Sequence, residues 1–305
     1  MSELSKIASK TLGDSTSYAI YTDKYDPSLL NPMPRELGRK DWSIDKTRFR
    51  GYDVWNCHEA SFLTNTGLPV AGTLKFCYSS DSEMMVESKS MKLFLNSFDM
   101  CKMGDLVEDA IDNYCRVVKE ELERVVGVEV FVSFFLDGSE TFNLFQNSWV
   151  EDLNKLPSIE FQEFTDYKGE IFHLKFDSET NLLFPSVVKT YKTNILRSRC
   201  RHTLQKDTGT AFITIVTEGG IVDPTSLLRQ IVSLRECNEF HELLSEKLYQ
   251  DIMSVNGVVD CTVLLMYNRR GSLDINPIRT STLTNNQIIN YLVDPTKLIQ
   301  KTQGQ

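Results

Sequence analysis

Cys200 sits in a run of cations, Arg197, Arg199, Arg201 and His202, and Asp207 follows it seven residues on. The thiolate is the nucleophile of cysteine chemistry, and neighbouring cations favour it over the thiol. A nearby carboxyl can give and take the proton that an attacked group needs. The pair therefore reads as a covalent nucleophile with its proton donor. Taken alone it reads first as a buried thiol above a solvated strand face, because free cysteine commonly packs as a small hydrophobe.

Three other clusters bear on that choice. Residues 87–98, ESKSMKLFLNSF, put Glu87 and Ser88 where a helix would begin, followed by Lys89, Ser90 and Lys92. They are either a capped amphipathic helix with solvated lysines, or an acid facing a polar ligand beside lysines facing phosphates. Residues 238–242, NEFHE, set Phe240, His241 and Glu242 at the start of another helix. There a carboxylate could accept two hydrogen bonds from an amidine-like edge, and a histidine could move a proton near neutral pH. Both could instead be surface residues. Residues 267–277, YNRRGSLDINP, end a strand on Arg269, Arg270 and Gly271. That is a phosphate clamp, or a charged edge that resists aggregation.

The rest of the chain excludes several classes. No G-x-G-x-x-G follows a strand and no G-x-x-x-x-G-K-[ST] occurs, so a dinucleotide would not be held by a Rossmann or Walker loop. The four histidines lack ligand spacing, so no metal is expected. A net charge of −9 over 305 residues argues against a grip on nucleic acid. Seven cysteines, an odd number without C-x-x-C, suggest free thiols in a reducing compartment. Residues 1–13 have no signal-peptide core, and the apolar run 125–136 is too short to span a bilayer. A cytoplasmic protein with no membrane contact is expected.

These clusters must be carried by something, and the periodicities describe it. Residues 53–64 and 69–80 alternate and flank NTGLP, which predicts a hairpin. Residues 106–126 carry an apolar stripe at helical spacing. Strands are predicted at 128–136 and 159–165. After Pro185 the plan repeats: strands from Ser186 and Gly209, a helix opened by Asp223, Pro224 and Thr225, a helix over 240–253, and strands at 259–267 and 273–276. Both halves read strand, strand, helix, helix, strand, strand, with the junction near 166–181. An α+β chain with an internal duplication follows. The duplication sets ESKSMK opposite DPTSLL and NEFHE opposite KMGDL, so each half lacks what the other has.

Residues 11–35 (TLGDSTSYAIYTDKYDPSLLNPMPR), ESKSMKLFLNSF, the Cys200–Asp207 pair, NEFHE and RRGSLDINP occur in one order. Together they resemble the long, two-module form of the NADPH-dependent 7-cyano-7-deazaguanine reductases, the nitrile reductases of queuosine biosynthesis. The likeness runs from Thr11 to about Arg279. It implies two tandem tunnelling-fold modules, residues 1–167 and 168–305, each an antiparallel sheet with two helices on one face. It implies a homodimer and a small deazapurine substrate. It also implies that Cys200 attacks the nitrile, that Asp207 protonates the nitrogen, and that His241 assists. Glu87, Ser88, Lys89, Phe240, His241 and Glu242 would contact substrate. Lys89, Ser90, Lys92, Arg269, Arg270 and Gly271 would contact NADPH. The chain departs from the family pattern at Lys206, where proline is usual, and at Arg201 and His202, where small or apolar residues are usual. The first departure bears on the placement of Asp207 and the second on the ionisation of Cys200. Two other readings use the same residues: an amidinotransferase that admits ammonia in place of hydride, and a non-catalytic deazapurine or pterin binder.

Overall fold

The computed structural model describes residues 24–145, 149–157, 159–178, 186–201, 203–281, 287–302 and 305. His202, residues 1–17 and the first part of the 11–35 motif lie outside them. Eight strands form one sheet: β1 (Arg50–Leu63), β2 (Pro69–Ser79), β3 (Val130–Leu136), β4 (Glu151–Asp152), β5 (Ser186–Arg199), β6 (Lys206–Glu218), β7 (Val258–Tyr267) and β8 (Leu273–Thr280). Their order is β3-β2-β1-β8-β7-β6-β5-β4, antiparallel except for β4 on β5. The helices that matter are α1 (Arg35–Asp41), α2 (Ser88–Asn96), α3 (Val107–Val126), α4 (Pro224–Ser233) and α5 (His241–Met253).

Each helix pair follows its own hairpin, as the alternation and the helical stripes predict. The stripe of α3 buries Ala110, Tyr114, Val118 and Leu122 among Trp55, Phe62, Leu74 and Phe76 of β1 and β2. In the second half, Leu227, Leu228 and Ile231 of α4 and Leu244, Leu248 and Ile252 of α5 pack with Ile213, Ile215, Val263 and Leu265. Asp223 caps α4, accepting from Thr225 N and Ser226 N, with Pro224 supplying no N–H. The mixed α+β class is as expected.

The strand predicted over 159–165 does not form: Ile159–Phe161 is a 3-10 turn, with Ile159 and Phe164 packed on the second core. The sheet position beside β1 is taken by β8 of the other half, paired from Leu273↔Cys57 to Thr280↔Arg50. Ile159 and Phe164 of this segment serve packing and not strand pairing, while Phe161 is exposed. β8 runs to Thr280, four residues past the predicted end.

The β1–β8 seam is held by a buried ionic network. Arg279 of β8 reaches Asp53 of β1 at 2.8 Å and Glu246 of α5 at 3.0 Å. Arg39 of α1 reaches Glu246 at 2.9 Å, and Arg35 pairs with Asp53. Such groups are costly to desolvate singly, and removing one partner of a buried pair costs about 3–5 kcal/mol. Among the described residues no helix is long and apolar enough to cross a membrane.

Candidate active site

A cleft of about 450 Å³ opens where the two halves meet. Its apolar floor is Trp55 of β1, Val86, and Leu273 and Ile275 of β8. Its walls come from the start of α2, the turn between β5 and β6, the start of α5 and the turn before β8. Cys200, Asp207, His241, Glu87, Ser88, Lys89, Phe240, Glu242, Lys92, Arg270 and Gly271 all line it. These clusters, up to 184 residues apart in sequence, therefore share one cavity.

Local sequence explains each placement. Glu87 is the N-cap of α2; its carboxylate accepts from Lys89 N at 3.0 Å and Ser90 N at 2.7 Å. This fixes Ser88 and Lys89 at the cleft wall. The same cap turns Ser90 inward. Its hydroxyl donates to Glu87 O at 2.6 Å and accepts from Asn31 N at 3.1 Å, and the residue is fully buried. Ser90 does not line the cleft, and Arg269 is exposed outside it.

Asp207 pairs with Ser198 across the β5–β6 hairpin, so the ladder sets its position without the proline usual before it. Its carboxylate accepts from Arg270 Nη1 at 2.7 Å and lies 3.4 Å from His241 Nε2. Only 3% of it is exposed. Burial works to raise its pKa, but His241 and Arg270 outweigh burial and hold it below the usual carboxylate range. Arg270 also donates to Gln205 Oε1 at 2.6 Å, tying Asp207 to the Cys200 turn. His241, the first residue of α5, stacks on Tyr267 with ring centroids 3.6 Å apart.

Glu242 follows in the first turn of α5 and is 3% exposed. Burial, with repulsion from Asp53, pushes its carboxyl up to about 7, against the pull of His241 and Arg35. The ionic network of the seam thus reaches the cleft from below.

The arginines around Cys200 are engaged by acids. Arg197 and Arg199 both meet Glu236, and Arg201 meets Glu239 and Asp41. These arginines are thereby neutralised by carboxylates that the sequence sets 37 to 160 residues away. Cys200 itself is half-buried, and its Sγ accepts from Thr203 N at 3.5 Å. At the opposite rim Lys89 and Lys92 have no ion-pair partner among the described residues. Gly271, at φ 63°, lies so close to Lys92 that a Cβ there would stand 3.1 Å from Nζ. Two open lysines beside a helix N-terminus form a rim that suits the phosphates of a dinucleotide. No cluster of three or more metal-binding side chains occurs among the described residues.

Sequence reasoning did not find Trp55, Gln205, Glu239 or Asn268 in the cleft. Glu239 stood inside the quoted NEFHE, but nothing in its spacing separates a buried acid from an exposed one.

Comparison with known proteins agrees with this arrangement. Residues 21–134 match the family described as nitrile reductase, 7-cyano-7-deazaguanine-reductase N-term, and residues 206–286 match the QueF-like protein family. The NADPH-dependent 7-cyano-7-deazaguanine reductase of Colwellia psychrerythraea is 32% identical over 287 residues, covering 92% of this chain and 93% of the relative. That of Coxiella burnetii is 33% identical over 271 residues, covering 87% and 90%.

Proposed function

The chain belongs to the 7-cyano-7-deazaguanine reductase family, and from that premise we propose that it reduces the nitrile of 7-cyano-7-deazaguanine to the primary amine with two NADPH, through a thioimide on Cys200. The carrying observation is the single cleft that gathers Cys200, Asp207, His241 and Glu242 with Glu87, Lys89 and Lys92. The two halves then act as tandem tunnelling-fold modules, residues 1–167 and 168–305, sharing one site, and the working form is a homodimer in the cytoplasm.

In this reading Glu242 accepts the paired N–H donors of the guanine-like edge. Glu87 and Ser88 hold the heterocycle from the opposite module, and Phe240 packs on it above the apolar floor. The Cys200 sulfur forms a bond to the nitrile carbon while one C–N π bond breaks. The thiol proton ends on the nitrogen, relayed by Asp207, which is an ionised carboxylate in this state. Lys89, Lys92 and Gly271 would hold NADPH, which when bound supplies a hydride for each of two reductions. After the first, the nitrogen lone pair expels the cysteine thiolate and leaves an imine for the second. The balance is one nitrile, two NADPH and two protons giving one aminomethyl group and two NADP. The apolar floor of the cleft, covered by bound substrate and cofactor, would keep water from the imine.

The direct test is stoichiometry. Two NADPH should be consumed for each 7-aminomethyl-7-deazaguanine formed. Consumption without amine, or amine without NADPH, would overturn the reading. Asp207→Asn should slow thioimide formation by about 10²–10⁴, the span of general acid catalysis, with substrate affinity little changed. The time course of the covalent adduct measures this, and an unchanged rate would remove Asp207 from the proton path.

A further inference from the structure

The turn that carries Cys200 is thinly held by its own residues. Cys200 N donates to Gln205 O at 2.8 Å and Leu204 N to Cys200 O at 3.0 Å. Leu204 takes a left-handed φ of 57° and points its side chain outward. Little apolar packing holds the thiol's position. Arg201, the next residue, is different: its side chain is only 10% exposed. Its Nη1 donates to Glu239 Oε2, and its Nη2 donates to Asp41 Oδ2 at 2.7 Å.

Glu239 is 1% exposed and fully used. Oε2 also accepts from Trp42 Nε1 at 3.0 Å, and Oε1 accepts from Phe240 N at 2.9 Å. Phe240 is the N-cap of α5, so Glu239 grips the backbone that aims His241 and Glu242. On the other side Glu239 N donates to Arg199 O at 3.2 Å, and Arg199 N to Cys237 O at 2.9 Å. A two-bond backbone bridge therefore ends at Arg199, and the Arg201–Glu239 pair carries it into the turn.

We infer that Arg201 and Glu239 are positioning residues, a clamp that fixes the Cys200 turn to the start of α5 and to Asp41 and Trp42, and so sets the thiol against the heterocycle held by Glu242. Charge-assisted hydrogen bonds of this kind are stronger than neutral ones, and Arg201 makes one to each of two acids. Arg201 stands where small or apolar residues are usual in this family, and the clamp gives that departure a purpose. Burial pushes the Glu239 carboxyl up, and Arg201 opposes that shift, so the acid depends on its partner.

The inference rests on Cys200 being the nucleophile, and the experiment separates the two. Wild type, Arg201→Met, Arg201→Lys and Glu239→Gln are mixed with 7-cyano-7-deazaguanine without NADPH. Adduct formation is timed by intact mass, and substrate affinity and melting temperature are measured beside it. A displacement near 1 Å costs about a hundredfold in rate. Arg201→Met and Glu239→Gln should therefore form adduct about 10- to 100-fold more slowly, with affinity changed less than about threefold, and Arg201→Lys should recover part of the loss. Wild-type adduct rates in both Arg201→Met and Glu239→Gln, or a lowered melting temperature with an unchanged rate, would reduce the pair to a structural one and overturn the clamp. No adduct on the wild type would overturn the nucleophile and the clamp together.

Discussion

Cys200→Ala is expected to bind 7-cyano-7-deazaguanine and to reduce none of it. A nitrile is a poor hydride acceptor, and covalent catalysis splits its reduction into two easier additions. Without sulfur on the carbon there is no thioimide, and among the described residues no other cysteine lines the cleft: Cys237, bonded through its backbone to Arg199, is buried in the second core. Binding should survive because Glu242, Glu87, Phe240 and the Trp55 floor are untouched. Folding should survive because Cys200 is half-buried in a turn outside the hydrophobic clusters. Calorimetry with the substrate and amine formation measure the two parts. Turnover within about tenfold of wild type would exclude the covalent route; loss this complete corresponds to at least about 4 kcal/mol of transition-state stabilisation.

Substrate affinity should rise with pH and level off near 7. Glu242 must be ionised to accept two N–H donors, and in the free protein its carboxyl is pushed up to about 7 by burial. Below that value binding must first expel a proton, which costs about 1.4 kcal/mol, or tenfold in affinity, per pH unit. The slope ends where Glu242 ionises unaided. Glu242→Gln should abolish the slope and weaken binding about a hundredfold at pH 8, the worth of hydrogen bonds to a charged group. The sign for stability is opposite. A carboxyl whose pKa is raised by folding binds its proton more tightly in the folded state, so stability falls as pH rises from the ordinary glutamate range to about 7. The Gln variant should therefore melt higher than wild type at pH 8 and show no such advantage at pH 5. A flat binding profile in the wild type would mean that Glu242 does not read the heterocycle.

Much of this was legible in the residues. The β1–β2 hairpin announced itself by alternation around NTGLP, α3 by its stripe, and α2 and α4 by the acids that cap them. The site residues were legible as clusters because each cluster is local. What sequence could not show is what lies between distant segments. Residues 159–165 looked like a strand from their local pattern, yet Ile159–Phe161 forms a 3-10 turn and Ile159 and Phe164 pack on the second core. Arg279 and Asp53 are 226 positions apart, and no spacing rule joins them. The basic run around Cys200 was visible, but Glu236, Glu239 and Asp41, which neutralise it, were not. Arg201 therefore holds the turn, and the charge of Arg197 and Arg199 is offset by Glu236.

The covalent intermediate is the centre of the account. The measurement is an intact mass spectrum after incubation with 7-cyano-7-deazaguanine in the absence of NADPH, repeated after NADPH is added. The account predicts a gain equal to the whole substrate on the wild type, none on Cys200→Ala, and discharge by NADPH with release of the amine. An adduct that ammonia discharges and NADPH does not would contradict it, and so would substrate binding with no adduct at all.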